Sequence, residues 1–468
     1  MVFKMPTINQ VRNSVLKKIK PTADEESKVK QFVQELMRVA KLLTGLDCNV
    51  CGSIGKFTWI RGDHDIDLFM FFPKDATRDE MEKKGLAFGK RIAEEMRGVY
   101  KIKYAEHPYV HATISGFDVD IVPCYAIRGG EQIISAVDRS PLHLEYVISN
   151  LEPAMRDEVR LLKQFCKGIG VYGSDAKHLG FSGYICELLV LKYGSFEDVL
   201  KAASEWKAPV VLFLRKIEDL EKINTDKFPN QPLIIIDPTD HNRNAAAVVN
   251  GGNLIKFINT AKKFLAGPNA NYFSPGEKKR MAKAHINKIH SRGTKFVAIK
   301  MAKPDVIDDI LYPQLRKATR RIAAMLRHNE FGCLRHYEHI FHKHIYIIFE
   351  LETWDLPDIN QFFGPPIFSQ KHSEEFLAKY RKQKNIYGPY IESNRWVVDK
   401  QREFRTAIAL LRHLIKKKQE TLIEEGIPKY IAEQLKKAKL IEHKEFWKLI
   451  KSEPHLSAFL YEKYFETL

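Results

Sequence analysis

Cysteine is scarce in this sequence, with six residues among 468. A scaffold built on disulfides is therefore excluded, because such scaffolds need a dense set of cysteines. Cys48 and Cys51 form a CxxC pair, but no second CxxC or matching CxxH completes the four ligands of a structural zinc site. We therefore interpret both cysteines as small core side chains at the end of a strand, rather than as a metal or redox pair.

Long apolar runs are also missing, and none approaches the roughly 20 residues that span a bilayer. The opening residues, MVFKMPTINQVRNSVLKKIKPT, lack the apolar core of an export signal. We therefore expect a soluble, cytoplasmic protein with no membrane partner.

Positive charge, in contrast, is abundant, and the net charge is +17. Residues 277–330 hold 14 lysines and arginines against 5 acidic residues. Clustered cations release counterions from a phosphate backbone when they bind it, so this distribution predicts a polyanionic partner. A chain of 468 residues is too long to fold around one compact core, so we expect three or four domains.

Hydrophobic spacing predicts a multidomain α+β chain. Thr22 followed by Glu25 forms a capping box, and apolar residues then keep helical spacing. The stretch DIDLFMFFP predicts a buried strand that ends at Pro73, and VYKIKYAEHPYVHATISGFDVDIVPCY predicts two or three more strands. A mainly helical segment follows, which QPLIIIDPTDHNRNAAAVVN interrupts with a short strand and then a helix start.

A basic helix is predicted by DVIDDILYPQLRKATRRIAAMLRHN, which follows a strand and precedes a pair of strands. Its apolar residues share one face, and its basic residues fall elsewhere: Arg316, Lys317, Arg320 and Arg321. We interpret these side chains as an RNA-binding surface, with a solvated helix face as the alternative.

Four histidines occur on the predicted strand pair. Alternation along the strands places His336, His342 and His344 on one face and His339 on the other. We therefore interpret them as RNA-facing or solvated side chains rather than as a metal cluster.

Two aspartates stand in the apolar run DIDLFMFF. Asp65 and Asp67 alternate, so a strand projects both carboxylates to one side. Burying close, uncompensated carboxylates is costly, and a divalent cation such as Mg²⁺ removes the cost. Asp120 on a later strand supplies a third carboxylate, and such a set suits two metal ions about 3.5–4 Å apart. The alternative is an exposed edge strand with solvated aspartates.

A glycine-serine turn precedes this strand. Gly52 allows a tight turn and a close approach of the backbone to a phosphate, and Ser53 offers a hydroxyl and an N–H group. Lys56 adds a mobile positive charge. Together with the aspartates, this turn predicts a nucleotide-binding site.

The turn and the aspartates resemble the signature of the nucleotidyltransferase superfamily that includes DNA polymerase beta. Further stretches resemble the archaeal, class I CCA-adding enzymes, which are tRNA nucleotidyltransferases. These stretches are PTADEES, GSIGKFTW, DIDLFMFFP, DIVPCY, SAVDRSPLH, VRLLKQFCKGIGVYGSD, GFSGYICELL, DPTDHNRNAAA and FELETWDLPDINQFFGPP. They run from about residue 15 to about residue 400 and so cover nearly the whole chain.

The resemblance implies addition of C, C and A to the 3′ end of tRNA from CTP and ATP, with two Mg²⁺ ions as cofactors. It implies that Asp65, Asp67 and Asp120 hold the metal ions, with Asp118 as the alternative third ligand.

The resemblance also implies a nucleotide-binding set, which consists of Gly52, Ser53, Lys56, His143, Lys163, Tyr172 and Arg243. Ser53, Lys56 and His143 would contact the triphosphate. Lys163 and Tyr172 would contact phosphates and ribose, and Arg243 would hydrogen-bond the base. Taken singly, these side chains have plain structural alternatives, such as a solvated lysine for Lys163 and a surface charge at a helix start for Arg243. Phe57 departs from the family pattern, which has a small residue there, so we expect an altered approach to the phosphates.

The resemblance implies four parts: a small mixed-sheet catalytic head at 1–150, a helical neck at 151–265 that completes the nucleotide pocket, a tRNA-binding α/β body at 266–330 and 400–468, and a tRNA-binding tail at 331–399. A poly(A)-type or other terminal RNA nucleotidyltransferase is the alternative enzyme. A catalytically inactive RNA-binding protein is the alternative of another class. The sequence leaves the oligomeric state open, with a homodimer as one alternative.

Overall fold

The structure combines helices with several separate β-sheets. The computed structural model describes residues 6–104, 106–214, 227–383 and 386–466. The chain divides into two compact units, the first ending at Glu277 and the second beginning at Lys278. Because both units combine helices with separate sheets, the prediction of a multidomain α+β protein is confirmed. Among the described residues, no helix is both long and apolar enough to cross a membrane.

The first unit opens with helices and a mixed sheet. The helices are α1 (Ile8–Ile19), α2 (Ala23–Thr44), α3 (Gly52–Gly55) and α4 (Arg78–Glu95). The strands are β1 (Cys48–Val50), β2 (Asp65–Phe72), β3 (Val99–Tyr104), β4 (Pro108–Ile114) and β5 (Phe117–Tyr125). Their order is β1-β2-β5-β4-β3, and β2 and β5 run parallel while the other neighbours are antiparallel. The capping box of Thr22 and Glu25 starts α2 as predicted.

The rest of the first unit is mainly helical. Its helices are α5 (Arg139–Asn150), α6 (Met155–Gly168), α7 (Gly183–Tyr193), α8 (Phe196–Ser204) and α9 (Gly251–Ala266), with short 3₁₀ turns at Ala136–Asp138 and Ala270–Phe273. Its small sheet has β6 (Val210–Leu212), β7 (Leu233–Asp237) and β8 (Asp240–Asn244), in that order. Phe165, Phe181 and Phe257 lie in one apolar core that joins these helices to β6 and β7.

The predicted helix start after LIIID is wrong. Residues Asp240–Asn244 form β8, which pairs antiparallel with β7. The carboxylate of Asp237 accepts hydrogen bonds from the amide and hydroxyl of Thr239, at 3.0 and 2.8 Å, and these bonds close a tight turn. The chain therefore reverses direction, and the next helix begins only at Gly251, after the N-cap Asn250.

The second unit contains two antiparallel sheets. Its strands are β9 (Lys295–Ala302), β10 (Cys333–Phe341), β11 (His344–Leu351), β12 (Ile359–Pro366), β13 (Ile386–Glu392), β14 (Arg395–Gln401) and β15 (Lys439–Ile441). The sheets have the orders β10-β11-β9-β15 and β12-β14-β13. Its helices are α10 (Lys283–His290), α11 (Asp308–His328), α12 (Gln370–Tyr380), α13 (Ala407–Lys416), α14 (Gln419–Glu424), α15 (Lys429–Leu435), α16 (His443–Ser452) and α17 (Pro454–Phe465).

Helix α11 is amphipathic, as its sequence predicts. Its apolar face is fully buried and consists of Leu311, Leu315, Ala318, Ile322 and Leu326. Lys317 and Arg320 are exposed. Arg321 is also exposed but donates from Nε to the carbonyl of Glu425, and Arg316 is half-buried. The helix thus presents a basic side to solvent while its leucines hold it on the sheet.

The prediction for the histidines is wrong in one respect. His344 pairs with Phe341, and His339 pairs with Tyr346, across β10 and β11. Paired residues of antiparallel strands point to the same face, so His344 shares a face with His339 and not with His336. The tight turn between the strands sets this register, which alternation along the sequence does not reveal. His339 packs against His455 and Phe459 of α17.

We expect Ile322→Ala to lower the free energy of unfolding of the second unit by about 2–5 kcal/mol, because it leaves a cavity in a closed core. Lys317→Ala on the exposed side of α11 is the matched control and should change it by less than about 0.5 kcal/mol. Urea unfolding followed by circular dichroism measures both variants. Equal losses would contradict the assignment of the two faces.

Candidate active site

The turn after β1 leaves no room for a side chain at Gly52. This residue adopts φ +63, and a β-carbon there would overlap Oδ2 of Asp67. Only glycine satisfies both conditions, since other residues rarely adopt this φ. The turn therefore brings the backbone of Gly52 directly against a carboxylate of β2.

Carboxylates cluster on one face of the mixed sheet. The parallel register pairs Asp65 with Asp118 and Asp67 with Asp120. Alternate residues of a strand share a face, and so do residues paired across neighbouring strands, so all four carboxylates point to the same side. Burial raises the pKa of Asp67 to about 6, and the charges of Asp120 and Asp65 add to the rise. The face is therefore a site of carboxylate repulsion, which a cation would relieve.

Asp120 has a partner that the sequence did not reveal. Nδ1 of His111 on β4 lies 2.5 Å from Oδ1 of Asp120, and Nζ of Lys103 lies 3.0 Å from the same ring nitrogen. Asp118 accepts a hydrogen bond of 3.0 Å from Thr113. Within the described ranges, no three His, Cys, Asp or Glu side chains are gathered in a geometry that could hold one metal ion.

A cavity of about 320 Å³ lies beside Asp67 in the first unit. Its lining includes most of the predicted nucleotide-binding set: Gly52, Ser53, Lys56, His143, Lys163 and Tyr172. It also includes residues that the sequence did not single out: Phe69, Ser140, Gly183, Tyr184 and Glu187. The structure thus brings together side chains from the turn, β2, α5, α6 and α7 around one space.

Glu187 joins the two predicted lysines. It is 1% exposed and lies 2.8 Å from Nζ of Lys56 and 3.0 Å from Nζ of Lys163. Thr58 donates its hydroxyl to the same carboxylate at 2.6 Å. Burial alone would raise the pKa of Glu187, but Lys163 and Lys56 outweigh burial and hold it at about 2. The network therefore carries two positive charges against one negative charge.

His143 belongs to a second buried network. Its Nε2 lies 2.9 Å from Oδ2 of Asp237, and its ring stacks on Tyr184 with centroids 3.8 Å apart. Burial lowers the pKa of His143, and the hydrogen bond to Asp237 only partly offsets this. Nζ of Lys56 lies 4.9 Å from the centroid of Tyr184, so the two networks meet at this ring.

Arg243 lines a different cavity. Its guanidinium donates to Asp237 at 2.6 Å, and it borders a space of about 670 Å³ together with Arg139 and Asp240. Asp65 and Asp120 are not in the lining of the 320 Å³ cavity, although they lie beside Asp67 on the sheet. The predicted site is therefore distributed over one cavity, the carboxylate face beside it and a neighbouring cavity.

Phe57 points away from the 320 Å³ cavity. It adopts φ +58 and lines a separate space of about 820 Å³ with Trp59 and Arg156. The guanidinium of Arg156 lies 4.6 Å from the centroid of the Phe57 ring. The bulky ring is thus not among the residues around the predicted phosphate site.

Cys51 is packed in a small core with Phe69, Cys124 and Leu144. Burial raises the pKa of Cys51 to about 12 and that of Cys48 to about 11. Both side chains are therefore neutral thiols, which are poor metal ligands and poor nucleophiles.

Glu187 and Asp237 were the main omissions of the sequence analysis. Glu187 stands in the apolar run ICELLVL, and Asp237 ends LIIID. An acidic residue inside or at the end of a fully buried element is rarely left without a cationic partner. The sequence around each of these two residues therefore indicates a buried ion pair. The identity of the partners was not readable, since they lie far away in sequence.

The fold and these side chains define a nucleotidyltransferase. A glycine-serine turn faces aspartates on adjacent strands of a mixed sheet, and residues 27–143 match the family model described as "Nucleotidyltransferase domain". Residues 157–274 match "tRNA nucleotidyltransferase, second domain", and residues 292–443 match "CCA-adding enzyme, C-terminal domain".

Curated relatives extend this match over most of the chain. The CCA-adding enzyme of Methanocaldococcus jannaschii is 36% identical over 455 residues, covering 94% of this chain and 98% of that protein. The CCA-adding enzyme of Methanosarcina acetivorans is 36% identical over 405 residues, covering 85% and 87%. That of Methanothermobacter thermautotrophicus is 36% identical over 411 residues, covering 86% and 88%. The chain belongs to the family of CCA-adding enzymes.

We expect Glu187→Gln to lower the free energy of unfolding of the first unit by about 3–5 kcal/mol, because it leaves Lys56 and Lys163 buried without a counter-charge. The pKa of Glu187 is about 2 in the folded chain and 4.5 ordinarily. Its stabilisation is therefore present above pH 4.5 and is lost as the pH falls toward 2. Urea unfolding from about pH 2 to about pH 7 covers this window, and the free energy of unfolding of the variant should fall less steeply toward acid pH than that of the unaltered chain.

Glu197→Gln is the matched control, since Glu197 pairs with Lys201 at 2.8 Å on the surface of α8. This substitution should lower the free energy of unfolding by less than about 1 kcal/mol. A Glu187→Gln variant as stable as this control would contradict the role of Glu187.

Proposed function

We propose that this enzyme adds C, C and A to the 3′ end of tRNA from CTP and ATP. The RNA 3′-hydroxyl would attack the α-phosphate in line, and pyrophosphate would leave. The observation that carries the proposal is the cavity in which the Gly52 turn, Lys56, Lys163 and His143 stand beside the Asp67 carboxylate. Membership of the CCA-adding family directs this chemistry to tRNA.

The donor chemistry of the carboxylate face suits a divalent cation. Its donors are hard oxygens, which Mg²⁺ prefers, and Asp67 stands next to Asp120 and Asp65, whose charges raise its pKa. We propose that Asp65, Asp67 and Asp120 hold two Mg²⁺ ions, which would supply positive charge at the reacting phosphate and hydroxyl. Asp120 is preferred to Asp118 because it is the register partner of Asp67, which lines the cavity.

The basic wall of the cavity would bind the triphosphate. Lys56, Lys163 and Glu187 form a network with one surplus positive charge, and this charge favours an anionic ligand. Ser53 offers a hydroxyl and an N–H group from the turn to phosphate oxygens. His143 is held at the same cavity by Asp237. These groups would position the triphosphate, and positioning supplies much of the catalysis of phosphoryl transfer.

Base choice would rest on Arg243, since no nucleic-acid template exists. A guanidinium has five N–H donors and no acceptor, so it can bond the ring-nitrogen acceptors of cytosine and adenine. Uracil and guanine present an N–H donor at the corresponding place. A donor that the bound base shields from water and leaves unpaired costs about 1–3 kcal/mol, which is enough for a strong preference.

Binding of the tRNA would fall mainly to the residues beyond the catalytic head and neck. We propose 1–150 as the head, 151–265 as the neck, 266–330 with 400–468 as the body, and 331–399 as the tail. The basic side of α11, with the half-buried Arg316 and the exposed Lys317, Arg320 and Arg321, would contact the backbone of the upper tRNA stem by charge and shape. The availability of tRNA and nucleoside triphosphates would place this activity in the cytoplasm.

Label incorporation into a tRNA transcript that lacks its last three nucleotides tests the activity. With Mg²⁺ and CTP alone we expect addition of two C residues, and with ATP also present a single A should follow. A long A tail from ATP alone would indicate a poly(A)-type enzyme. Tight tRNA binding without incorporation would indicate an inactive RNA-binding protein.

We expect Asp67→Ala to reduce incorporation by more than about a hundredfold while leaving tRNA affinity within about twofold, because it removes a carboxylate from the reacting centre and none of the basic surface. Single-turnover assays and filter binding measure the two quantities. Asp75→Ala, on an exposed turn after β2, is the control and should behave like the unaltered enzyme. Turnover retained in Asp67→Ala would contradict the metal-site assignment.

A further inference from the structure

Asp237 is a fully buried carboxylate at the end of β7, and it accepts from several sides at once. Its Oδ2 lies 2.9 Å from Nε2 of His143 and 2.6 Å from a guanidinium nitrogen of Arg243. Its Oδ1 accepts from the hydroxyl of Tyr184 at 3.1 Å and from the amide and hydroxyl of Thr239. One carboxylate oxygen is thus shared by a side chain of each cavity.

These contacts keep the Asp237 carboxylate ionised. Burial by itself would raise its pKa, but the hydrogen bonds from His143 and from Thr239 keep the pKa well below its ordinary value. The carboxylate is therefore ionised near neutral pH. An ionised acceptor gives the stronger kind of hydrogen bond, and it fixes the direction of each donor.

The two donors on Oδ2 face different parts of the proposed substrate. His143 and Tyr184 line the 320 Å³ cavity, which would take the triphosphate. Arg243 lines the 670 Å³ cavity, on the side where the base would be selected. Asp237 lines neither cavity and lies between the two groups that do.

We infer that Asp237 is a positioning residue that couples selection of the base to placement of the triphosphate, by holding Arg243 and His143 on one carboxylate. This inference rests on the proposed function. A base that presents an N–H donor to Arg243 would repel the guanidinium and shift it on Oδ2, and so disturb the partner of His143. Discrimination would then show in kcat as well as in KM, because the wrong base misplaces the reacting phosphate.

A second contact links the same elements. Nε of Arg139 on α5 lies 3.0 Å from Oδ2 of Asp240 at the start of β8. The hairpin that carries Arg243 is thus joined twice to the helix that carries His143, once through Asp237 and once through Asp240. A displacement of Arg243 and its hairpin would therefore reach α5 directly through the contacts of Asp237 and Asp240.

The test compares CTP with UTP on the truncated tRNA transcript in the full-length enzyme. For each variant, kcat and KM are measured for both nucleotides, and the ratio of their kcat/KM values gives the selectivity. This ratio does not depend on the fraction of enzyme that is folded, so a purely structural defect leaves it unchanged. We expect Asp237→Asn to lower kcat for CTP by about tenfold to a hundredfold and to relax the selectivity by at least about tenfold.

A double-variant cycle identifies the path of the effect. Arg243→Ala alone should relax selectivity, and Asp237→Asn combined with Arg243→Ala should relax it no further, while kcat for CTP still falls through His143. Selectivity that is relaxed in Arg243→Ala but unchanged in Asp237→Asn would overturn the coupling and leave the proposed function intact. No incorporation by the unaltered enzyme would overturn the proposed function itself.

Tyr184→Phe covers the case in which Asp237→Asn does not fold. It removes only the hydroxyl bond to Oδ1 and keeps the ring on His143. Because Tyr184 faces the triphosphate cavity, coupling predicts a severalfold change in the CTP to UTP selectivity, and unchanged selectivity would overturn it. Asp175→Asn is the matched control, since Asp175 pairs with His178 at 2.7 Å outside both cavities, and it should leave kcat and selectivity as they are.

Discussion

Burying a charge in a protein without a partner is costly, and this constraint organises the candidate active site. Glu187 and Asp237 are almost wholly enclosed, and each gathers cations or N–H donors that face a cavity. Glu187 holds Lys56 and Lys163, and Asp237 holds Arg243 and His143. The helices and the hairpin that bring these groups together would otherwise contribute isolated charges to an apolar core. The carboxylates thus determine where Lys56, Lys163 and Arg243 stand.

The opposite side of the site is arranged differently. The aspartates of β2 and β5 lie side by side, and the charges of Asp120 and Asp65 raise the pKa of Asp67. Glu187 balances one of the two lysine charges of the basic wall. On the acidic face His111 contacts Asp120, yet the pKa of Asp67 stays raised. Carboxylates that are crowded together on one face destabilise the fold, and such crowding is typical of a site that a bound ligand completes. The proposed substrate, a triphosphate with divalent cations, carries the charges that both sides require.

Local signals predicted most of the fold, and long-range pairing accounts for most of what was missed. The capping box at Thr22, the alternation of Asp65 and Asp67 and the apolar face of α11 depend on neighbours in sequence, and the structure shows all three. Lys56 and Glu187, in contrast, are 131 residues apart. The strand β8 and the face of His344 depend on a turn and a register, which periodicity does not contain. Resemblance to a known family, rather than the pattern of residues, placed Lys163, His143 and Arg243 near the site.

The division of the chain into two units has a consequence for how its sequence can diverge. The lining of the 320 Å³ cavity and both buried networks come entirely from the first unit, which also has its own apolar cores. Substitutions after Glu277 therefore leave the side chains that line this cavity unchanged. Selection could therefore change the basic surface of the second unit while the residues that line the cavity stay under a separate constraint. Because the constraints are separate, the two units could accumulate substitutions at different rates.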